Sequence, residues 1–217
     1  MNTFRSNLKQ TVVFFIGTLI FFAAGCYLYV HLGKADSFKW LNQYHVGIAD
    51  SFFPYYTNVG NGFFAIALAF IFLWKKKVEI FLMLVYSFLL SGLLAQIIKN
   101  IKHYPRPISF FGNTSQQYFI QGLTFHTSNS FPSGHTATAF AMAAVLSFMI
   151  PNKKWQVFFV IAASAVGFSR IYTGQHFLND VLVGALIGTI CGIICVYTIL
   201  ESSWAKHKWL HKLIQKK

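Results

Sequence analysis

The sequence predicts an all-α, polytopic membrane protein with six transmembrane helices. Of the 217 residues, 55% are hydrophobic and only 11% are charged, whereas soluble proteins contain about 25% charged residues. Six apolar stretches approach the length of about 20 residues that a helix needs to cross a bilayer. Most Lys and Arg residues lie at the ends of these stretches. A water-soluble protein is therefore excluded.

The six predicted helices follow one another along the chain. They cover residues 11–30, 57–74, 79–98, 134–150, 155–172 and 180–200. No low-complexity linker or repeat separates them, so we expect a single integral-membrane domain over 1–217. Cys26, Cys191 and Cys195 lie inside apolar stretches. They are predicted to pack there, since three cysteines cannot form a disulfide framework.

Two further segments carry helix signals. Arg5 and Lys9 precede an apolar stretch, as in a signal sequence. Apolar residues continue beyond the cleavage-like site, so we expect an uncleaved first helix. Residues 36–53 begin with Asp36 and Ser37, two good capping residues, and have apolar side chains near helical spacing. This pattern predicts a short helix lying in the outer membrane interface.

The basic residues set the orientation of the helices. Eighteen Lys and Arg against five Asp and Glu give a net charge of +13. Short cytoplasmic loops carry an excess of basic residues, and twelve of the eighteen fall on one side: Arg5, Lys9, Lys75, Lys76, Lys77, Lys153, Lys154, Lys206, Lys208, Lys212, Lys216 and Lys217. Both termini are therefore predicted in the cytoplasm. Because these charges are spread over four short segments, nucleic acid is excluded as a partner.

Other ionisable residues collect at helix ends on the opposite, outer side. Each costs roughly 2.5 to 3.5 kcal/mol on membrane-insertion scales, so each needs a reason. They are Lys99 and Arg106 after the third helix, His135 at the start of the fourth, Arg170 at the end of the fifth, and His176 and Asp180 at the start of the sixth. Counting the crossings brings all of them to one membrane face. A single site is therefore predicted there.

Three of these residues form a cluster of cations whose mutual repulsion an anion would relieve. Lys99, Arg106 and Arg170 suit phosphate, since Arg matches phosphate oxygens with a fixed fork of donors and Lys adds a point charge. Ser133 and Gly134 stand just before the fourth helix. Free backbone N–H groups and the helix dipole bind anions at such a position. These residues are predicted to bind phosphate.

The two histidines and the carboxylate suit phosphoryl transfer. His176 and Asp180 are four residues apart, so on a helix the carboxylate can hold one imidazole nitrogen as N–H. The other nitrogen is then free to attack phosphorus and to hold the phosphoryl group covalently. His135 is placed to protonate the leaving oxygen and then to activate water.

The same residues suit two other chemistries less well. A metal is not expected, because the site has a single carboxylate and three cations that would repel the ion. No cofactor is predicted either. Hydrolysis with Ser133 as nucleophile is an alternative, but the surrounding groups match phosphate better than a carbonyl.

These residues also match a known sequence pattern. Lys99 is followed after six residues by Arg106-Pro107, then comes Pro132-Ser133-Gly134-His135, then Ser169-Arg170 with five residues to His176 and three more to Asp180. The pattern, over residues 99–180, resembles that of the type-2 phosphatidic acid phosphatase family. The resemblance implies a phosphatidic acid phosphatase type 2/haloperoxidase-like helical core and a metal-independent lipid phosphatase.

The resemblance carries residue roles to the matching positions. It implies His176 as nucleophile, Asp180 as its partner, and His135 as acid and base. It also implies a phosphate-binding set made of Lys99, Arg106, Ser133, Gly134 and Arg170. Ser169 belongs to the pattern, but no chemical role is assigned to it beyond support of the phosphate site.

The substrate is expected to be a lipid phosphate or pyrophosphate. Undecaprenyl pyrophosphate is favoured, because the chain resembles a small bacterial form with no added domain. Phosphates of lipid A, phosphatidylglycerol phosphate, phosphatidate and diacylglycerol pyrophosphate are the alternatives. We expect a bacterial inner-membrane protein in contact with membrane lipids, with its site facing the periplasm or cell exterior. No oligomeric state is predicted.

Two rival functions come from other classes. The first is a non-catalytic binder or carrier of a lipid phosphate, against which the complete set of His135, His176 and Asp180 argues, since binding alone needs no nucleophile. The second is a haloperoxidase that holds vanadate in the same site. Haloperoxidases are usually soluble, so the six predicted membrane helices argue against this function.

Two segments have an open interpretation. The loop 108–131 is rich in aromatic residues, which favour the headgroup level of a membrane, so it either flanks a lateral lipid entrance or covers the core. His126 in this loop is predicted to be a surface residue. The tail 201–217 mixes Trp and Leu with lysines and lies either on the cytoplasmic lipid surface or in solvent.

Overall fold

The computed structural model describes residues 3–112 and 118–201, and this part of the chain is helical with no strand. Its helices, in chain order, are α1 (Thr3–Gln10), α2 (Val12–Asn42), α3 (Gly47–Tyr56), α4 (Gly62–Trp74), α5 (Val78–Lys102), α6 (Pro107–Phe111), α7 (Gly134–Met149), α8 (Lys153–Tyr172) and α9 (Leu178–Glu201). A 3₁₀ turn, Thr57–Gly60, joins α3 to α4. The predicted all-α class is confirmed.

Several helices are long and apolar enough to cross a bilayer. Four stretches qualify alone, and α3 with α4 qualifies as a pair bent by 59°; the four are Val12–Asn42, Val78–Phe111, Lys153–Tyr172 and Leu178–Glu201. The protein is an integral membrane protein. Each of the six predicted segments coincides with a helix, but α7 has only 16 residues. The predicted count of six spans is therefore not fully matched by length.

Helix α7 forms the centre of the bundle. Every side chain from Thr136 to Phe148 is buried, so this helix has no face that must meet lipid. Five of those side chains are alanines, which let neighbouring helices approach closely. A short helix can serve here because its neighbours, and not the bilayer, surround it.

Helix α9 packs directly against α7 through a row of glycines. A Cβ at Gly184 would lie 2.5 Å from the carbonyl oxygen of Ser133, and one at Gly188 would lie 2.1 Å from that of Ala137. Gly192 continues the row one turn later, with Ala141 and Ala144 as its neighbours. No side chain fits between the two backbones. The glycines therefore fix the depth and the register at which α9 meets α7.

The predicted interfacial helix at 36–53 is wrong in its bounds. Asp36 and Ser37 lie inside α2 and cap no helix, and Asp36 pairs with Lys39 at 3.2 Å. The true irregularity is earlier, at Gly33, where φ is +72° and ψ is −174°. That conformation is open almost only to glycine. Helix geometry resumes after this break and continues to Asn42, where α2 ends.

The connection from α2 to α3 is tied to the end of α8. The Nδ1 atom of His45 lies 2.6 Å from Oδ1 of Asp50, and the Tyr172 hydroxyl donates to the same oxygen at 2.7 Å. The Asn42 amide donates to the carbonyl of Tyr172 at 2.9 Å. These contacts hold α3 and the 3₁₀ turn after it against the helix that carries Arg170.

Aromatic side chains of α6 pack onto the protein. The ring of Phe111 lies 5.4 Å from that of Phe38, and the ring of Phe110 lies 5.3 Å from that of Phe177. Both contacts agree with a loop that covers the core.

Cys191 and Cys195 are buried as predicted, whereas Cys26 is exposed, and all three are free. The predicted surface tail, apart from Glu201, lies outside the described residues.

Candidate active site

The eight predicted site residues converge at one end of the bundle, where α5 and α8 end and α7 and α9 begin. The backbone N–H of Ser133 donates to the carbonyl of Asp180 at 2.9 Å, and the Lys99 ammonium lies 4.0 Å from the Cβ position of Gly134. The charges of Arg170, Lys99 and Arg106 all act on His135. The predicted convergence of distant residues is therefore present in the fold.

His176 and Asp180 form a buried pair, with side chains only 2% and 1% exposed. Nδ1 of His176 lies 3.4 Å from Oδ2 of Asp180, but it has no hydrogen-bond partner. Oδ2 instead accepts from the hydroxyl of Ser130 and from the backbone N–H of Phe177 at 2.9 Å. The carboxylate is thus held in place beside the imidazole by two donors.

The surroundings of His176 favour its neutral form. Burial lowers the pKa of His176 well below its ordinary value, and the charges of Arg170, Arg106 and Lys99 act in the same direction, while the backbone of Ser130 opposes them. Only a neutral imidazole has a nitrogen lone pair available for attack. These surroundings therefore keep the imidazole in its nucleophilic state at neutral pH.

The turn after α8 places His176 directly beside Arg170 in the fold. Gly174 has a φ of +69°, a left-handed conformation that commonly ends a helix. The backbone N–H groups of Gln175 and His176 then both donate to the carbonyl of Arg170, at 2.9 and 3.1 Å. The guanidinium and the imidazole are thus set in position by one turn of backbone.

Arg170 is held by a residue that the sequence does not flag. Its Nη1 donates to the hydroxyl of Thr57 at 2.8 Å, while its Nε is buried without a partner. Thr57 begins the 3₁₀ turn, and Gly60 at the end of that turn lies against the carbonyl of His135, where a Cβ would approach to 2.5 Å. The turn therefore aligns Arg170 with the start of α7 and leaves one Arg donor unused.

Arg106 is oriented by the loop before α7 and by Gln175. Its Nε donates to the carbonyl of Ser128 at 3.0 Å, and its Nη1 donates to Oε1 of Gln175 at 2.8 Å. Beside it lies a polar cavity of about 400 Å³, whose walls are Gln96, Lys99, Arg106, Phe125, His126, Thr127, Ser128 and Asn129. His126 is exposed, as predicted for a surface residue, and lines this cavity.

Ser133 is the N-cap of α7. Its hydroxyl oxygen accepts from the hydroxyl of Thr136 at 2.8 Å and from the backbone N–H of Thr136 at 3.4 Å. The Ser133 hydroxyl proton is then free to donate to an anion. Because the first N–H groups of a helix lack internal partners, the start of α7 adds further donors next to Lys99.

Ser169 has a structural contact in this fold. Its hydroxyl donates to the carbonyl of Val166 at 2.7 Å, and its own carbonyl accepts from the Thr173 hydroxyl at 2.7 Å. Both contacts stabilise the last turn of α8, which carries Arg170.

Among the described residues no three His, Cys, Asp or Glu side chains are grouped so as to hold a metal ion.

Fold and site together define a helical membrane phosphatase, with a cluster of cations next to a buried histidine and carboxylate. The PAP2 superfamily model matches residues 80–204, more than half of the chain. The chain belongs to the PAP2 superfamily. It is a hydrolase that acts on lipid phosphates.

Individual relatives agree with this assignment. The chain is 26% identical to an undecaprenyl-diphosphatase of Sulfolobus acidocaldarius, over 75% of this chain and 77% of that protein. It is 30% identical to a lipid A 1-phosphatase of Rhizobium etli, over 58% of this chain and 57% of that protein.

Solved structures show the same fold. The crystal structure of Aquifex aeolicus LpxE has a TM-score of 0.64 and 32% identity, covering 75% of this chain and 94% of that one. A transmembrane phosphatidylglycerolphosphate phosphatase from Bacillus subtilis has a TM-score of 0.61 and 25% identity, covering 86% and 94%.

The hydroxyl of Ser130 donates to the Asp180 carboxylate, a contact that the sequence does not predict. Removal of this hydroxyl tests whether the contact matters for the reaction. We expect Ser130→Ala to lower kcat by about 10- to 100-fold, because a hydrogen bond to a charged group contributes about 1.5 to 3 kcal/mol. KM should change little, since Ser130 contacts no phosphate-binding group, and Ser130→Thr should restore part of the rate. The measurement is steady-state phosphate release by purified protein.

Ser87→Ala is the matched control, because Ser87 is equally buried and donates only within its own helix, to Leu84. Equal kcat values for Ser130→Ala and Ser87→Ala would show that the contact with Asp180 has no part in the reaction.

Proposed function

We propose that this protein hydrolyses a lipid phosphate or pyrophosphate at the outer membrane face through a phosphohistidine at His176, with undecaprenyl pyrophosphate as the favoured substrate. The observation that carries the proposal is a buried imidazole beside a carboxylate held by two donors, with three cations around the pair. The relative named undecaprenyl-diphosphatase supports the choice of lipid. Lipid A, phosphatidylglycerol phosphate and phosphatidate are the alternatives.

The first step transfers the phosphoryl group to the enzyme. The free Nε2 of His176 attacks phosphorus, and the bond from phosphorus to the leaving oxygen breaks. Bound phosphate offsets the positive charges around His135, so His135 carries a proton in the complex and gives it to that oxygen. Lys99, Arg106, Arg170, Ser133 and the N–H groups at the start of α7 stabilise the charge that develops on the other phosphoryl oxygens.

The second step returns the enzyme to its starting state. His135, now neutral, takes a proton from a water molecule, whose oxygen attacks phosphorus and breaks the bond to Nε2. Inorganic phosphate forms, and His176 regains its lone pair. Asp180 stabilises His176 throughout, since the imidazole carries positive charge while it is phosphorylated. Three cations supply the electrostatic stabilisation that a metal supplies in other phosphatases.

An apolar cavity near His135 supports a lipid substrate. Its volume is about 280 Å³, and its walls are Tyr56, Val59, Phe64, Leu68, Ala139, Met142, Ala143, Leu146, Phe158, Phe159, Ala162 and Ala163. Ala139 lies one helical turn after His135, and Tyr56 precedes Thr57, which binds Arg170. From Ala139 to Leu146 the cavity follows α7 for about 10 Å. We assign this cavity to the first part of the lipid tail.

The catalytic proposal predicts metal-free turnover that depends on His176. Purified protein with a chelator should release phosphate from a panel of lipid phosphates and pyrophosphates, and rapid quenching with phosphorus-labelled substrate should trap an acid-labile phosphoprotein. His176→Ala should lower kcat by at least about 10⁴-fold, the scale seen when a covalent nucleophile is removed.

Three results would contradict this mechanism. One is activity that vanishes with the chelator and returns with magnesium. The second is a fully active His176→Ala variant. The third is a wild-type protein that binds lipid phosphates without turnover, which would favour the non-catalytic binder or carrier.

The tail assignment predicts a change in chain-length preference. Ala143→Leu fills part of the apolar cavity and should raise KM by about tenfold for a long-chain lipid phosphate, but less than about twofold for a dioctanoyl one. Ala67→Leu is the control, because Ala67 is exposed on α4 and outside the cavity lining. An equal rise in KM for the long-chain and the dioctanoyl substrate would contradict the assignment of this cavity to the lipid tail.

We also propose that both termini are cytoplasmic, in a bacterial inner membrane, as the basic residues indicate. The expected result is that an impermeant thiol reagent outside the cell labels a cysteine introduced at Ser128, in an otherwise cysteine-free protein. Labelling of that position only from the cytoplasmic side would reverse the orientation.

A further inference from the structure

A fourth cation, Lys34, lies close to the proposed site but outside the phosphate-binding set. It follows Gly33, so it stands at the break of α2. Its ammonium lies over three aromatic rings, 4.2 Å from the ring centre of Phe177, 5.0 Å from that of Phe110 and 5.8 Å from that of Tyr104. A cation over the face of an aromatic ring is attracted by the ring's quadrupole. The three rings therefore fix the position of this charge.

Lys34 has no carboxylate partner in residues 3–112 and 118–201. The ion pairs there join Lys39 to Asp36, His45 to Asp50, and His176 to Asp180. A half-buried ammonium that is held by rings alone has no screening counter-ion. The charge of Lys34 therefore acts on the ionisable groups closest to it.

The nearby acid is Asp180. Phe177, whose ring carries the ammonium of Lys34, also donates its backbone N–H to Oδ2 of Asp180 at 2.9 Å. The charges that act on the Asp180 carboxyl include those of Lys34, Arg106 and Lys99. The charges that act most strongly on Lys99 are those of Arg106, Arg170 and Asp180, and Lys34 is not among them. Lys34 thus acts on Asp180 from a position on the rings of Phe177, Phe110 and Tyr104, and it is not one of the proposed phosphate-binding residues.

This separation has a consequence once substrate is bound. Lys99, Arg106 and Arg170 oppose protonation of His176 before substrate binds, but a bound phosphate dianion neutralises much of their charge. The same dianion also attracts a proton to His176, which would remove the nucleophile. A cation that phosphate does not contact keeps its effect in the complex. Among the charged groups around the pair, namely Lys34, Lys99, Arg106, His135 and Arg170, Lys34 is the one placed to do so.

We infer that Lys34 is a positioning residue, which keeps Asp180 ionised and His176 unprotonated while substrate occupies the site. It acts through the carboxylate and contacts no reacting atom. The aromatic rings of Phe177, Phe110 and Tyr104 hold its charge at a fixed distance, and the break at Gly33 allows α2 to deliver the side chain there. The inference rests on the proposed phosphohistidine mechanism.

The test is the pH dependence of Lys34→Met, which removes the charge and keeps an apolar side chain on Phe177. With dioctanoyl phosphatidate in detergent, we expect the acidic limb of the kcat profile to move to higher pH by about one unit, the effect of one charge at this range. At pH values below the limb, kcat of Lys34→Met should be about tenfold lower than that of the wild type. At pH values above the limb, the difference should be less than about threefold. The limb of kcat/KM, which reports the free enzyme, should move less, because the other three cations are not yet neutralised.

Two further variants separate charge from packing. Lys34→Arg keeps the charge and should keep the limb of the wild type. Lys39→Met is the matched control, because Lys39 lies on the same segment of α2 but pairs with Asp36 and stands over Phe111. Lys34→Gln repeats the loss of charge if Lys34→Met does not purify as a folded protein.

Each remaining outcome overturns the inference. A uniform loss of kcat at every pH would indicate a purely structural side chain, and a rise in KM with an unmoved limb would indicate a substrate ligand. A limb that moves equally in Lys34→Arg would exclude the role of charge. A wild-type protein without phosphatase activity would contradict the proposed function itself, whereas an active wild type with an unmoved limb in Lys34→Met contradicts only this inference.

Discussion

The contact between the backbones of α7 and α9 is the constraint on which the site depends. Gly184 admits the carbonyl of Ser133 to within a distance that no side chain would allow, and the N–H of Ser133 bonds to the carbonyl of Asp180. The start of α7 is thus bonded to the backbone of Asp180 at the start of α9. Any wider spacing would separate the start of α7 from the pair of histidine and aspartate. Precision at the site is therefore a property of helix packing.

The other elements support this pair of helices from outside. The 3₁₀ turn brings Thr57 to Arg170 and rests Gly60 on the carbonyl of His135. The loop before α7 brings Ser130 to Asp180. In both segments a small hydroxyl side chain reaches a charged group, Thr57 contacting Arg170 and Ser130 contacting Asp180. Gly60 lets the 3₁₀ turn pack closely against α7. Buried charges in a membrane protein need such partners, because each unpaired one is costly there.

Much of this arrangement could be predicted from the sequence, since helix positions follow from apolar length and the site residues from charge at helix ends. Five of the six predicted helices agree with the structure within a few residues, whereas α2 continues to Asn42, well beyond the predicted end at residue 30. Ser130, Thr57 and Lys34 could not be found this way. Their contacts join residues far apart in the chain, 50 positions for Ser130 with Asp180 and 113 for Thr57 with Arg170. No local pattern encodes a partner at that distance. The break at Gly33 was missed because a lone glycine in an apolar helix is commonly tolerated.

The two cavities have opposite chemical characters and different walls. One is almost wholly apolar and lies among α4, α7 and α8, while the other is polar and lies against Lys99, Arg106 and the loop before α7. For the proposed reaction, the two products belong to different phases, since the dephosphorylated lipid stays in hydrocarbon and inorganic phosphate dissolves in water. Each product then has its own compartment beside the site. Separation of the products by solubility opposes their recombination, so partition between phases gives the hydrolysis a direction in addition to that of its bond energies.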